Sequence, residues 1–140
     1  IRADMVCHPG PTVGYRIAED GRTLCYLSDH EPAPGLDRFV LEELEPDWVS
    51  GVDLAEESDL LIHDSQYTRE EYAERIGWGH SSVDQSLTFA RLAGAKHLVA
   101  FHHDPARNDD DLRRVISEAA GREPLPFRVT VGAEGDVFKL

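Results

Sequence analysis

The chain has 140 residues, enough for one domain with a buried core, and 41% of them are apolar while 29% are charged. Its 27 acidic and 14 basic residues give a formal net charge of −13 at pH 7. That charge repels phosphate backbones and anionic membranes, although bound metal ions would reverse the local sign for a phosphorylated substrate. No apolar run is long enough for a transmembrane span, and Cys7 and Cys25 do not suggest a disulfide framework. We therefore expect a single domain over residues 1–140, with no membrane contact, reduced thiols and a cytoplasmic location.

The first part of the chain is predicted to be β-structure. Residues 3–7 predict a short strand that ends in a His-Pro-Gly-Pro turn. Segments 13–18 and 22–27 are predicted to form a hairpin, because Asp20-Gly21 between them is a strong two-residue turn signal. The acidic stretch 36–58 predicts a short helix before the next strand.

Strands and helices alternate in the rest of the chain. Thr68 and Glu71 form a capping box for a helix over roughly 69–76, and Ser81 or Ser82 caps the helix that Gly94 ends. The other predicted elements are strands over 60–62, 97–101, 127–131 and 136–139 and a helix beginning at 108–111. This order predicts an α/β fold.

The predicted interior strands, 24–27, 60–62 and 98–101, are apolar without alternation. Both faces of their sheet should therefore be covered. The predicted helices cover one face comfortably. A second sheet or a second chain should cover the other.

Four predicted strands each deliver a residue suited to metal binding or acid–base chemistry just past their carboxyl ends. These residues are His8, Asp29, Asp64 and His102. Loops at the strand ends of α/β sheets converge on one rim, so the four side chains predict a site there. Imidazole and carboxylate groups are ligands for zinc, manganese or iron. Each residue alone would read as an ordinary solvated loop residue.

The other histidines carry weaker signals. His80 follows Gly77-Trp78-Gly79 and precedes a helix, where it could approach a substrate or simply be exposed. His63 is expected to pack structurally near a strand end, and His97 is expected to be exposed. His30 and His103 adjoin the proposed ligands and either support them or have no role.

Five motifs stand in order along residues 5–112. They are His8-Pro9-Gly10 with Gly14-Tyr15-Arg16-Ile17, Tyr26-Leu27-Ser28-Asp29-His30-Glu31, Leu61-Ile62-His63-Asp64-Ser65-Gln66-Tyr67, Gly77-Trp78-Gly79-His80-Ser81 and Phe101-His102-His103-Asp104-Pro105. Together they resemble the later motifs of the metallo-β-lactamase-fold hydrolases. The closest branch is the phosphodiesterase side, with ribonuclease Z and cyclic-nucleotide phosphodiesterases.

The resemblance implies an αββα sandwich with two metal ions at its rim, of which this chain is the C-terminal half: one mixed sheet with helices on one face. It implies that His8 binds the first metal, Asp29 bridges both and His102 binds the second. It also implies that His80 lies beside the scissile phosphate, paired with Asp64. Zinc is the expected metal, and a phosphodiester small molecule or an RNA end is the expected substrate.

The sequence departs from the family in lacking its His-x-His-x-Asp-His element, which supplies most ligands of both metals. The three ligands present are too few for two ions. The chain is therefore expected to work with a missing N-terminal half or as a homodimer, and whether it is an enzyme by itself stays open. Two alternatives remain: a non-catalytic half-fold that self-associates through its open sheet face, and an acidic phospho-acceptor module with Asp29 as the acceptor.

Overall fold

Six strands form one mixed sheet and follow one another in chain order. The computed structural model describes residues 1–36, 41 and 43–140. The strands are β1 (Arg2–Val6), β2 (Thr12–Glu19), β3 (Arg22–Leu27), β4 (Leu60–Asp64), β5 (His97–Phe101) and β6 (Arg128–Val131). β1 to β3 pair antiparallel, whereas β3 to β6 pair parallel. The predicted α/β class with one mixed sheet is confirmed.

The hairpin between β2 and β3 is confirmed as well. Asp20 and Gly21 have φ values of 49° and 76°, and Glu19 pairs with Arg22 on either side of them. Positive φ at both central residues is what a tight turn between twisted strands requires.

The described helices are α1 (Val52–Ala55), α2 (Arg69–Ala73), α3 (Val83–Leu92) and α4 (Asp109–Ala120), with a 3-10 turn at Pro46–Trp48. Capping boxes begin α2, from Thr68 and Glu71, and α3, from Ser82 and Gln85. α2 is shorter than predicted because the chain leaves the helix at Glu74 and turns before Gly77, whose φ is 82°. Residues 37–40 and 42 of the predicted 36–58 segment lie outside the described part. None of the described helices is long and apolar enough to cross a membrane.

The hydrophobic core lies between the helices and one face of the sheet. Cys25, Leu61 and Leu98 are neighbours across β3, β4 and β5 and are almost completely buried. Phe89 of α3, also fully buried, belongs to the same cluster. Helices connect each of the parallel strands β3 to β6 to the next, and these crossovers bring the carboxyl ends of the strands to one edge.

The opposite face of the sheet carries a row of apolar side chains at Tyr15, Tyr26, Ile62 and Val99. The C-terminal segment 132–140 covers part of this face, and the Phe138 ring lies 5.7 Å from the ring of His97. The segment predicted as a strand over 136–139 does not pair with the sheet. Four apolar side chains on β1 and β2 remain exposed, namely Met5, Val13, Tyr15 and Ile17.

Candidate metal and acid–base site

The edge of the sheet where the parallel strands end brings the sequence-predicted site residues together. β1 runs in the same direction as β3 because both pair antiparallel with β2, so their carboxyl ends meet those of β4 and β5. Asp64 is the last residue of β4, and the other three follow their strands within two residues: His8, Asp29 and His102. His80, which the resemblance pairs with Asp64, reaches the same edge from the loop before α3.

Asp29 and His102 form a half-exposed pair at this edge. The Asp29 Oδ1 atom lies 3.3 Å from His102 Nε2, and the two side chains are 39% and 31% exposed. Both residues have left-handed backbones, with φ values of 50° and 54°. Non-glycine residues adopt such backbones only where the surroundings impose them, so the turns after β3 and β5 are set to aim these two side chains at one place.

Asp64 and His80 form a second, enclosed pair. The His80 Nδ1–H group donates to Asp64 Oδ2 at 2.7 Å, and Asp64 is fully buried. Asp64 also accepts hydrogen bonds from the backbone N–H groups of His30, Gln66 and Ser81. The hydrogen bond to Asp64 raises the pKa of His80, outweighing the burial that lowers it.

His80 is close to both proposed metal ligands. Potential ligand atoms of His8, Asp29 and His80 lie within 4.8 Å of one another, as do those of Asp64, His80 and His102. The His80 ring stacks on His102 at 5.0 Å and meets His8 edge-on at 5.6 Å. Since its Nδ1 is held by Asp64, Nε2 is the atom of His80 left to exchange a proton or meet a ligand.

The donor set fits a divalent transition metal. Imidazole nitrogens and a carboxylate suit zinc, manganese or iron. Asp29 is grouped with His8 and also contacts His102, which suits a carboxylate shared between two cations. The Cys7 thiol is in neither group of potential ligands, and burial raises its pKa, which disfavours the thiolate a metal would need.

A buried histidine pair behind the site was not predicted from the sequence. His63 Nδ1 lies 2.7 Å from the Asp64 carbonyl oxygen and therefore donates to it, which leaves His63 Nε2 to accept from His30 Nδ1 at 2.9 Å. Burial lowers the pKa of His63 to about 4 and lowers that of His30 as well. Both rings are therefore neutral near pH 7, and the backbone N–H of His30 supports Asp64. His63 packs near the end of its strand, as expected.

The prediction that His97 is exposed is wrong. It is 7% exposed, with Nε2 2.8 Å from the Thr130 hydroxyl and Nδ1 2.9 Å from an Arg128 nitrogen. The prediction was wrong because β6 and the C-terminal segment, which are distant in sequence, close over this strand start.

The sequence model described as the β-lactamase superfamily domain matches residues 3–103. This chain belongs to the metallo-β-lactamase superfamily. Membership implies a divalent metal, and the relatives lie on the ribonuclease Z branch, as the five motifs predicted.

The relatives are longer proteins. Ribonuclease Z of Salinibacter ruber is 36% identical over 99 residues, covering 67% of this chain and 30% of that protein. Ribonuclease BN of Cronobacter sakazakii is 31% identical over 102 residues, covering 71% of this chain and 33% of that protein. This chain therefore spans about a third of the length of the curated relatives it matches.

Solved structures show the same fold. The metallo-β-lactamase fold protein YhfI from Bacillus subtilis has a TM-score of 0.66 at 20% identity, covering 97% of this chain and 47% of that one. The short form of human tRNase Z has a TM-score of 0.61 at 26% identity, covering 98% of this chain and 40% of that one. Nearly all of this chain thus corresponds to less than half of each larger fold.

Proposed function

We propose that this chain forms part of a metal-dependent hydrolase of the phosphodiesterase type. The observation that carries the proposal is the presence, at one edge of the sheet, of two Asp–His pairs in different surroundings. The Asp64–His80 pair is enclosed and hydrogen-bonded at 2.7 Å, which suits proton transfer. The Asp29–His102 pair is half-exposed at 3.3 Å, which suits a metal.

His8, Asp29 and His102 would hold the divalent cations, with zinc the best match to the donors and manganese or iron the alternatives. Cations held there would supply Lewis acidity toward phosphoryl oxygens and a nucleophile at neutral pH. We assign His80 to proton transfer rather than to metal binding, because the hydrogen bond to Asp64 stabilises its protonated form. A protonated imidazole has no lone pair for a metal.

The chain's own residues account for the protonation of the leaving group. Asp64 holds His80 through Nδ1–H, which orients the ring and stabilises its positive charge. His80 Nε2–H can then give its proton to the leaving oxygen as the phosphorus–oxygen bond breaks. The neutral imidazole recovers a proton from water at the end of the cycle.

The ligand set of this chain needs a complement. Three ligands do not satisfy two cations, and the 140 residues contain no His-x-His-x-Asp-His run. We propose that further ligands come from polypeptide outside these residues, either an N-terminal half or a second copy. The added polypeptide would also cover the exposed apolar side chains of β1 and β2. The relatives are named ribonucleases, which favours RNA over a small phosphodiester as the substrate; that the RNA is cleaved at an end is part of the proposal.

The test measures metal content and hydrolysis of a chromogenic phosphodiester by the chain alone and with a polypeptide that supplies the His-x-His-x-Asp-His half. For the chain alone we expect little bound metal and no turnover. For the combination we expect bound metal and turnover. Absence of turnover in the combination with zinc, manganese and iron would refute the proposal. Loss of turnover in His80→Asn with full metal content would separate proton transfer from metal binding.

A second candidate function is a non-catalytic half-fold that self-associates. Its support is the open sheet face, where Met5 is 60%, Tyr15 43% and Ile17 41% exposed. It predicts a dimer in solution that Tyr15→Glu converts to a monomer, with no hydrolysis in either state. A monomeric wild-type chain would exclude it. Both candidates fit a cytoplasmic location, since Cys7 and Cys25 are free thiols.

A further inference from the structure

Glu31 is a buried carboxylate two residues after Asp29, with 1% of its surface exposed. Its Oε1 atom accepts hydrogen bonds from the Tyr72 hydroxyl at 2.7 Å and the Gly77 N–H at 2.9 Å, and Oε2 accepts from the Gly79 N–H at 2.8 Å. Burial raises the pKa of Tyr72 to about 12, so its hydroxyl stays a donor. A buried carboxylate with three donors is a strong, directional anchor.

The segment that Glu31 holds, Gly77-Trp78-Gly79, leads directly into His80. Its two glycines have φ values of 82° and 91°, which disfavour other residues. The Gly79 backbone lies so close to the His8 ring that a Cβ at Gly79 would come within 2.2 Å of His8 Cδ2. A Cβ at Gly77 would contact nothing within 4 Å. Only Gly79 of the pair touches a proposed ligand.

Glu31 also contacts the chain segment that leads into His8. Its backbone N–H donates to the carbonyl oxygen of Cys7 at 3.1 Å, the residue directly before His8. One residue therefore binds the strand end that carries His8 and, through its side chain, the loop that packs on the same ring. Glu31 therefore contacts both the residue before the proposed ligand His8 and the loop before the proposed acid His80.

We propose that Glu31 is a positioning residue: it holds the Gly77–Gly79 loop against the His8 ring and thereby sets the positions of His8 and His80. Its importance for metal binding and turnover rests on the proposed function above. The hydrogen bonds of Glu31 and the close approach of Gly79 to His8 do not depend on that function.

The first experiment replaces Glu31 by Gln in this chain and studies it in combination with the polypeptide that supplies the His-x-His-x-Asp-His half. Glu74→Gln is the control, because it removes the same charge from an exposed residue beside the same loop. The amide oxygen of Gln can still accept two of the three hydrogen bonds. The amide NH₂ group replaces the oxygen that accepts the third, and its N–H cannot accept a hydrogen bond. We expect amide hydrogen exchange of Gly79 or Gly77 to become at least about 10-fold faster. We also expect zinc affinity to fall about 10-fold, as for other changes behind a metal ligand, while the control keeps wild-type values.

The second experiment compares Gly79→Ala with Gly77→Ala. Both substitutions place a side chain on a positive-φ backbone, so their backbone strain is similar. Only the Gly79 substitution collides with His8. We expect zinc affinity to fall about 10-fold or more in Gly79→Ala and to change less than about twofold in Gly77→Ala.

A merely structural Glu31 would lower thermal stability but leave zinc affinity unchanged at a temperature where all variants are folded, and that result would overturn the proposal. Unchanged exchange at both glycines in Glu31→Gln would overturn it as well. If the wild-type chain binds no zinc even in combination with the polypeptide that supplies the His-x-His-x-Asp-His half, the proposed function fails. The nuclear Overhauser contact between the Gly79 α-protons and the His8 ring then decides on Glu31: its loss in Glu31→Gln supports the positioning role, and its persistence refutes it.

Discussion

The two Asp–His pairs of the site consist of the same chemical groups but differ in their surroundings. Asp64 is fully buried and His80 is 16% exposed, and the backbone N–H groups around Asp64 hold its carboxylate in place. Asp29 and His102 are 39% and 31% exposed and approach each other only to 3.3 Å. The first pair is a complete hydrogen-bonded unit within this chain. The second pair leaves lone pairs of Asp29 and His102 accessible to a cation.

The difference shows how one sheet edge can serve two kinds of chemistry. Enclosure strengthens the hydrogen bond between Asp64 and His80. That hydrogen bond raises the pKa of the imidazole and outweighs the burial that lowers it. Openness at Asp29 and His102 leaves room for a cation and for the rest of its ligands. We make separate predictions for the two carboxylates, because Asp64 is buried and accepts four hydrogen bonds whereas Asp29 is half-exposed.

The largest effect is expected from Asp64→Asn. The substitution turns a hydrogen-bond acceptor into a donor that faces the N–H groups of His30 and His80. We expect unfolding free energy to fall by about 1–3 kcal/mol, and hydrolysis by the metal-loaded enzyme to fall about 10²–10⁴-fold. Urea denaturation and turnover of a phosphodiester measure these changes. Wild-type turnover in this variant would remove Asp64 from the mechanism.

His80→Asn should reduce turnover by a similar factor of about 10²–10⁴ but with a different signature. Asn at this position cannot act as an acid, while the proposed ligands His8, Asp29 and His102 remain. We therefore expect unchanged metal content, measured by elemental analysis, together with lost turnover. Loss of metal in this variant would instead identify His80 as a ligand, which its proximity to His8 and Asp29 also permits.

Asp29→Asn should weaken metal binding by about 10–100-fold and leave the fold almost unchanged. Removing the charge weakens a proposed shared ligand but breaks only one half-exposed contact at 3.3 Å. We expect unfolding free energy of the metal-free protein to change by less than about 1 kcal/mol. Calorimetric titration with zinc, on the combination with the polypeptide that supplies the missing ligands, tests the first part, and urea denaturation of the metal-free chain tests the second. A destabilisation as large as that of Asp64→Asn would abolish the contrast between the pairs.

The sequence predicted the strand-end residues well because their positions follow from strand direction alone. Once β1, β3, β4 and β5 are known to run the same way, His8, Asp29, Asp64 and His102 must meet at one edge. The roles assigned to these residues stay predictions.

The network behind the strand ends could not be read from spacing. Glu31 bonds to Gly79, 48 positions away, and His30 to His63, 33 positions away. His97 was misjudged for the same reason, since the residues that bury it come from β6 and the C-terminal segment. Contacts of this kind depend on how loops pack, which neither periodicity nor motif order specifies.

The smallest expected effect is a pH dependence of stability that belongs to the enclosed pair. The hydrogen bond to Asp64 raises the pKa of folded His80 above its unfolded value of about 6.5. The stability from this pair is therefore fully present below pH 6.5 and is lost as the pH rises through the folded pKa.

Urea denaturation of the wild type and His80→Asn between pH 5 and pH 9 isolates this contribution. The buried His30 and His63 titrate alike in both proteins, so their contribution cancels in the difference. We expect the difference in unfolding free energy to be largest near pH 5 and to shrink toward pH 9. A difference independent of pH would mean that His80 stabilises the fold by packing alone. It would contradict a protonated imidazole in the enclosed pair.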